Sequence, residues 1–351
     1  MTIILLNCCP PTAEPQLYAG PAFNLAVRSL LTLGCALANA GLRVTAYGTP
    51  HALGGRNAAR GLDHPGGQRV ALAYEQDPPD FGAIVARVQP HHCILWNGGA
   101  EPHVTVALQA AGVKPWFAEA GWFDRENSIF LDPVGVARTS SLDSFVDDGH
   151  VPGRVMQLRL DMLTRSLAPQ PPPGAGDYLL VLLDGGSAWA YFDPRYKSVS
   201  ALIDDLARRF PGRRVVVRGH PSNAASCPAL PPNMAWGNDG SLFDWTAHCT
   251  AVIGASSKAT FAAPLFGKPL VLIGRGLTNP DGGGHVFAEA ASIAAISDAM
   301  LQPPGPRPEV ARALLYEALF RRHVYFDDAS ELALMRNRCL GPVLDQAVCP
   351  V

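Results

Sequence analysis

The chain of 351 residues is long enough for two domains, and 48% hydrophobic against 17% charged residues supplies a sizeable core and excludes general disorder. A net charge of −2, from 28 basic and 30 acidic residues, argues against a dedicated nucleic-acid binder. The 34 Gly and 32 Pro have no period, so they read as tight loops between short elements rather than collagen. The start of the chain lacks the basic region of a signal peptide, and no apolar run spans a bilayer. Eight cysteines without a CxxC pair read as reduced thiols of a cytoplasmic protein rather than a zinc site.

In chain order, 2–6 is an apolar strand, 24–40 a helix ended by Gly41, and 43–47 the next strand. A short helix at 82–88, a strand at 93–96, a helix at 104–111 and a strand at 115–118 continue the alternation. A helix over 154–166 precedes the proline-rich run 168–174, which cannot be helix or central strand and reads as an interdomain linker. The pattern then repeats: strands at 178–183, 214–218, 251–253 and 269–273, with helices at 198–210, 242–248 and 257–266. The aromatic-rich tail from 307 to 339 reads as helical. Strands alternating with helices predict an α/β protein with parallel sheets, in two domains with a cleft between their strand ends. The expected divisions are 1–167, a linker 168–176, 177–305, and C-terminal helices 306–351 at the domain junction.

Ligands of parallel sheets bind beyond the carboxyl ends of strands, so the residues just after strands carry the functional argument. After 214–217 come Arg218, Gly219, His220 and Pro221, a cation and an imidazole on a stiffened exit, suited to an anionic phosphate. After 251–253 come Gly254, Ala255, Ser256, Ser257, Lys258 and Thr260, a small-residue loop opening a helix. Amides and hydroxyls there form an anion site, although a plain N-cap would look the same. Asp184 with Gly185, Gly186 and Ser187 follows the first strand of the second half, where small residues let a substrate approach. In the first half, Asn97 follows one strand. Glu119, with Gly121 close behind, follows another, a place for a general acid or base. Asp132, before Pro133, adds a second carboxylate. No Asp-x-Asp in these segments holds a metal.

The set Glu119-Ala-Gly-Trp-Phe123, Leu131-Asp-Pro-Val-Gly-Val136, Arg218-Gly-His-Pro221, Gly254-Ala-Ser-Ser-Lys258 and Gly267-Lys-Pro269 resembles the bacterial capsule-polysaccharide glycosyltransferases that include retaining β-Kdo transferases. The resemblance covers about half of the chain, from Trp96 to Gly274. It departs where Asp184-Gly-Gly-Ser187 stands for a Gln-containing loop, and where Ala137 stands for Asn. It implies a GT-B-like fold, two Rossmann-like domains facing across a cleft, and CMP-Kdo as donor substrate, without cofactor or metal. It implies Asp184 as nucleophile and Glu119 as acid/base. Arg218, His220, Pro221, Ser256, Ser257, Lys258 and Thr260 would hold the nucleotide. Asn97, Gly121, Asp132 and Ser187 would meet the acceptor, a glycan or glycolipid. Alternative readings are a UDP-sugar transferase or epimerase on this fold, and a non-catalytic nucleotide-sugar-binding subunit. Arg208, Arg209, Arg213 and Arg214 could touch an anionic membrane, making the inner face of the plasma membrane a candidate place of action, although a solvated helix end explains them too.

Overall fold

The structure is a computed structural model, and it describes residues 3–7, 21–39, 42–48, 71–74, 81–96, 102–123, 128–172, 174, 176–184, 198–220, 228–274, 277–282 and 284–325. In chain order the main elements are β1 (Ile3–Asn7), α1 (Pro21–Asn39), β2 (Arg43–Gly48), β3 (Ala71–Tyr74), α2 (Phe81–Val88), β4 (His92–Trp96), α3 (Pro102–Ala110), β5 (Lys114–Ala120), β6 (Ser128–Asp132) and α4 (Gly153–Leu167). Then follow β7 (Leu179–Leu182), α5 (Val199–Arg209), β8 (Val215–Arg218), β9 (Met234–Trp236), α6 (Leu242–His248), β10 (Ala251–Gly254), α7 (Ala262–Leu265), β11 (Leu270–Ile273), β12 (Ala288–Ala290), α8 (Pro308–Tyr316) and β13 (His323–Tyr325).

The chain divides into two compact units. One takes the described residues up to Ser141 and those from Ala318 onward, and the other runs Leu142–Glu317. The proline-rich run expected as a linker therefore lies inside the second unit. The Gln170 amide donates to Asp244 Oδ1 at 2.7 Å, which ties the run to α6. The helix preceding it, α4, also belongs to the second unit and packs against α8, with the Arg159 guanidinium 6.0 Å from the Tyr316 ring centre.

In the first unit the strand order is β13-β6-β5-β4-β1-β2-β3. The pairs among β1 to β5 are parallel, while β6 and β13 run antiparallel at one edge. Alternate residues serve opposite faces. Ile94, Trp116 and Ala118 meet the stripe of Val27, Leu30, Leu31 and Cys35 on α1, while Cys93 and Leu95 meet α2 and α3. Each fully buried leucine of that stripe contributes about 1.5–3 kcal/mol. Residues 128–132, singled out in the sequence only for the carboxylate of Asp132, form β6. The tail read as helical ends α8 at Tyr316, passes through a π-helical stretch Glu317–Arg321 and becomes β13. Here pairing with β6 overrides the local helical pattern: His323 faces Phe130, and the Leu131 amide donates to the Arg322 carbonyl at 2.8 Å.

The second unit holds a six-stranded, wholly parallel sheet in the order β12-β11-β10-β7-β8-β9. Its strands are continuous apolar runs because both faces are covered. One face packs Leu179, Val181, Val215, Val217 and Ile253 under Leu202, Ile203, Leu206 and Phe210. Ser198 caps α5, accepting from the Ala201 amide at 3.3 Å. The helix expected over 257–266 is instead a 3₁₀ turn, Lys258–Phe261, and the single turn α7. Pro264 lacks the N–H that a continuous helix needs. Gly267 ends it at φ +66°, and the Lys268 amide reaches back to the Ala263 carbonyl at 2.8 Å.

Candidate functional site

In the second sheet β7 lies between β8 and β10, and the chain leaves β7 toward one side and β10 toward the other. This is the topological switch point, where the fold leaves a crevice beyond the strand ends. Asp184 follows β7 by two residues, and Ser256 follows β10 by two. The two meet: Asp184 Oδ2 accepts from the Ser256 amide at 3.0 Å. The Ser256 hydroxyl and the Ser257 amide also donate to this carboxyl. Asp184 is only 3% exposed. Burial pushes its pKa above the ordinary carboxylate range, and those three hydrogen bonds oppose the shift.

The loop that supplies the donors is wound tightly. Thr260 is fully buried, and its hydroxyl donates to the Ser257 carbonyl at 2.6 Å. A Cβ at Gly254 would stand 2.4 Å from Thr260 Cγ2, so only glycine leaves room there. Thr260 shapes the loop from inside. The Ser256 and Ser257 amides, expected to hold a phosphate, point at an internal carboxylate. Ser257 makes no side-chain capping bond, and Ser256, Ser257 and Lys258 are each partly exposed.

Arg218 ends β8, half-buried, with its guanidinium turned to the next loop. Nη1 donates to the Gly237 carbonyl at 2.6 Å and Nη2 to the Gly240 carbonyl at 3.0 Å. Burial lowers its pKa, and the carboxylates of Asp244 and Asp239 act the other way. The Gly219 amide donates to Asn238 Oδ1 at 2.9 Å, and Gly237 has no room for a Cβ, which would fall 2.5 Å from Val216 Cγ1. These bonds fix the strand exit from which His220 emerges, partly exposed. Pro221, Ser187 and Asn97 lie outside the described residues.

The first-unit acids sit differently. Glu119 lies within β5 rather than after it, opposite Phe130 of β6, and is 3% exposed. Its Oε1 accepts from the Trp122 indole at 3.2 Å. Trp122 stacks on Phe130 with ring centres 5.2 Å apart, and His323 closes on both edge-on at 5.6 and 5.5 Å. His323 Nε2 accepts from the Trp122 amide at 2.9 Å and Nδ1 donates to the Ala318 carbonyl at 2.6 Å, so the ring is held as one neutral tautomer. Gly121 turns the chain between β5 and β6, its amide donating to the Ser128 carbonyl at 2.9 Å. His323 was not anticipated: its only sequence signal is a histidine among aromatics in a tail read as helical.

Asp132 is fully buried and organises its own loop. Oδ1 accepts from the amides of Val134, Gly135 and Ser141 at 2.8, 3.1 and 3.0 Å, and Oδ2 from the Ser141 hydroxyl at 2.6 Å. Arg322 stands 4.0 Å away. This is the geometry of a loop-forming aspartate rather than an acceptor contact. Of the four arginines considered for a membrane surface, Arg208 pairs with Asp205, Arg209 binds the Ile296 carbonyl at 2.7 Å and Asp298 at 3.3 Å, and Arg214 donates to the Gly174 carbonyl. Among the described residues no helix is long and apolar enough to cross a membrane.

The strand orders define an α/β protein of two Rossmann-like units, as expected of a GT-B-like fold. No family model matches the chain, and no curated protein matches it. Solved structures similar in fold include the KpsC β-Kdo 2,7-transferase of Thermosulfurimonas dismutans, at 16% identity, TM-score 0.49, 73% of this chain and 85% of that one. The glycosyltransferase SnogD from Streptomyces nogalater is similar at 13% identity, TM-score 0.40 and 99% of both chains. The UDP-GlcNAc 2-epimerase of Methanocaldococcus jannaschii is similar at 8% identity, TM-score 0.41, 99% of this chain and 100% of that one.

Proposed function

We propose that the protein is a glycosyltransferase of bacterial capsule or lipopolysaccharide synthesis that transfers Kdo from CMP-Kdo to a glycan or glycolipid with retention. It would act in the cytoplasm or at the inner face of the plasma membrane. The observation that carries the reading is a desolvated carboxylate, Asp184, held by Ser256 and Ser257 at the switch point of the second sheet. A carboxylate stripped of water and aimed by fixed donors is a competent nucleophile. In the first step a carboxylate oxygen of Asp184 bonds to the anomeric carbon, and the bond to the phosphate oxygen breaks with its electron pair leaving on CMP. In the second step the acceptor hydroxyl gives its proton to Glu119 and its oxygen displaces Asp184, so two inversions restore the configuration. Because the loop amides serve Asp184, the leaving phosphate falls to His220, the Ser257 hydroxyl and Lys258. Arg218 positions His220 through its bonds to Gly237 and Gly240. Asn97 and Ser187 remain candidates for the acceptor side. No cofactor or metal enters these steps.

The test compares Asp184→Asn with Asp184→Ala in a CMP-Kdo transfer assay, with intact-protein mass measured after exposure to donor alone. The expected result is a stable, inactive Asn variant and a Kdo adduct on the wild type only. An active Asn variant beside an unstable Ala variant makes Asp184 a loop anchor and overturns the nucleophile. Thermal shift with nucleotides decides the donor: stabilisation by CMP, lost in His220→Ala, supports the reading, whereas stabilisation by UDP alone replaces it with a UDP-sugar enzyme.

A further inference from the structure

The opposite edge of the second sheet, where its strands begin, carries two adjoining cavities. The first, of about 680 Å3, lies among the starts of β7 and β8, the end of α6 and the turn into β11. Its lining carries the cations Arg213, Arg214 and Lys268, with His248, against the single carboxylate Asp177. Arg214 is held in place by the Gly174 carbonyl and by the Tyr178 ring, whose centre lies 5.8 Å away. The His248 ring is fixed through Nδ1, which donates to the Asp244 carbonyl at 2.9 Å. Among the described residues the side chains of Arg213 and Lys268 make no hydrogen bond or ion pair, although both are partly buried. The second cavity, of about 440 Å3, is apolar, walled by Pro264, Leu265, Leu270, Phe287, Ala311 and Leu315. Both cavities include Gly267, Lys268, Pro269 and Pro303, so a hydrocarbon wall continues directly into a cationic one.

We propose that these cavities together bind an amphiphilic phosphate, with the phosphate monoester against Arg213 and Lys268 and a hydrocarbon tail between β11 and α8. Half-buried cations that find no partner among the described residues are suited to neutralisation by an anion of matching charge. Arginine offers a planar fork to phosphate oxygens, and lysine a point charge. The adjoining apolar wall favours a ligand that carries its own apolar surface over a bare ion. The site lies at the amino ends of the strands, away from Asp184 at the carboxyl ends, and it does not depend on the reaction proposed there.

The test is calorimetric titration of the whole chain with three probes: inorganic phosphate, dodecyl phosphate below its micelle concentration, and dodecyl maltoside. Dodecyl phosphate is expected to bind at least tenfold more tightly than phosphate, with no binding of the maltoside. Arg213→Ala with Lys268→Ala, both at partly exposed positions, should weaken dodecyl phosphate at least tenfold. Gln157→Trp, an exposed residue of α4 lining the apolar cavity, should remove the advantage of the tail and leave phosphate binding intact, with circular dichroism confirming the fold. Equal affinity for phosphate and dodecyl phosphate overturns the amphiphile. Binding of the maltoside, no binding of any probe, or wild-type affinity in the double variant overturns the site.

Discussion

Asp132 in the first unit and Asp184 in the second are both buried aspartates at strand ends, yet their surroundings differ in kind. Asp132 belongs to the loop it shapes: its donors come from Val134, Gly135 and Ser141, all within nine residues. Asp184 takes its donors from Ser256 and Ser257, 72 residues away along the chain at the first of them, across the seam between two strands. A local set of donors fixes a loop. A remote set at a switch point holds a carboxylate between two strands at the carboxyl edge of the sheet, where burial outweighs the hydrogen bonds in its effect on the pKa.

The comparison is broken or sharpened by substitution. The largest expected effect is on turnover: Asp184→Asn should lower transfer by about 10⁴-fold while the midpoint of unfolding stays within a few degrees, measured by initial rates and thermal denaturation. Asp132→Ala should do the reverse, costing about 3 kcal/mol through its stranded donors, read by denaturant unfolding. Next comes Gly254→Ala, which drives a methyl into Thr260 and should cost about 2 kcal/mol with a further loss of activity as the Ser256 amide shifts. Ser241→Ala removes the capping box with Asp244, whose bonds measure 3.0 and 2.8 Å, and should cost about 1 kcal/mol.

The smallest effects are on pH dependence, and the two units should differ in sign. The raised pKa of Asp184 contributes stability that is full below the unfolded value of about 3.9 and is lost as pH rises through the folded value. Asp184→Asn should therefore gain on the wild type between pH 4 and neutrality. His92, 2% exposed in β4 and accepting from the Trp116 indole at 3.4 Å, is lowered by burial, then by Lys114 and His91. Its contribution is present above about pH 6.5 and is lost as pH falls through the folded value. Unfolding followed by pH in His92→Gln should show a flatter acid limb. An unchanged limb would mean that His92 is as readily protonated folded as unfolded.

The sheet of the second unit was legible because its strands are continuous apolar runs set between helices with clear stops. The runs 179–182, 215–218, 251–254 and 270–273 lie within or close to the predicted segments. The short strands β9 and β12, three residues each, carry too little pattern to read. β13 escaped for a different reason: it pairs with β6 across nearly two hundred residues, which no local window records, and β6, five residues long, lies between it and the nearby β5. At the candidate site, Asp184, Ser256 and Arg218 were legible as residues after strands. That Asp184 occupies the amides beside Ser256, and that Arg218 serves the Gly237 and Gly240 carbonyls, follows from packing between segments far apart in the chain. Glu119 was placed one step too late because the strand continues through Ala120.

β13 also sets an order of assembly. It completes the edge of a sheet whose other strands all precede Ser141, so the first unit waits for residues made after the whole second unit has been synthesised. The second unit, continuous from Leu142 to Glu317, is available to fold as a piece while the growing chain still lacks β13. On the ribosome the later unit can thus finish before the earlier one, with Phe130 and Trp122 waiting until His323 has been made.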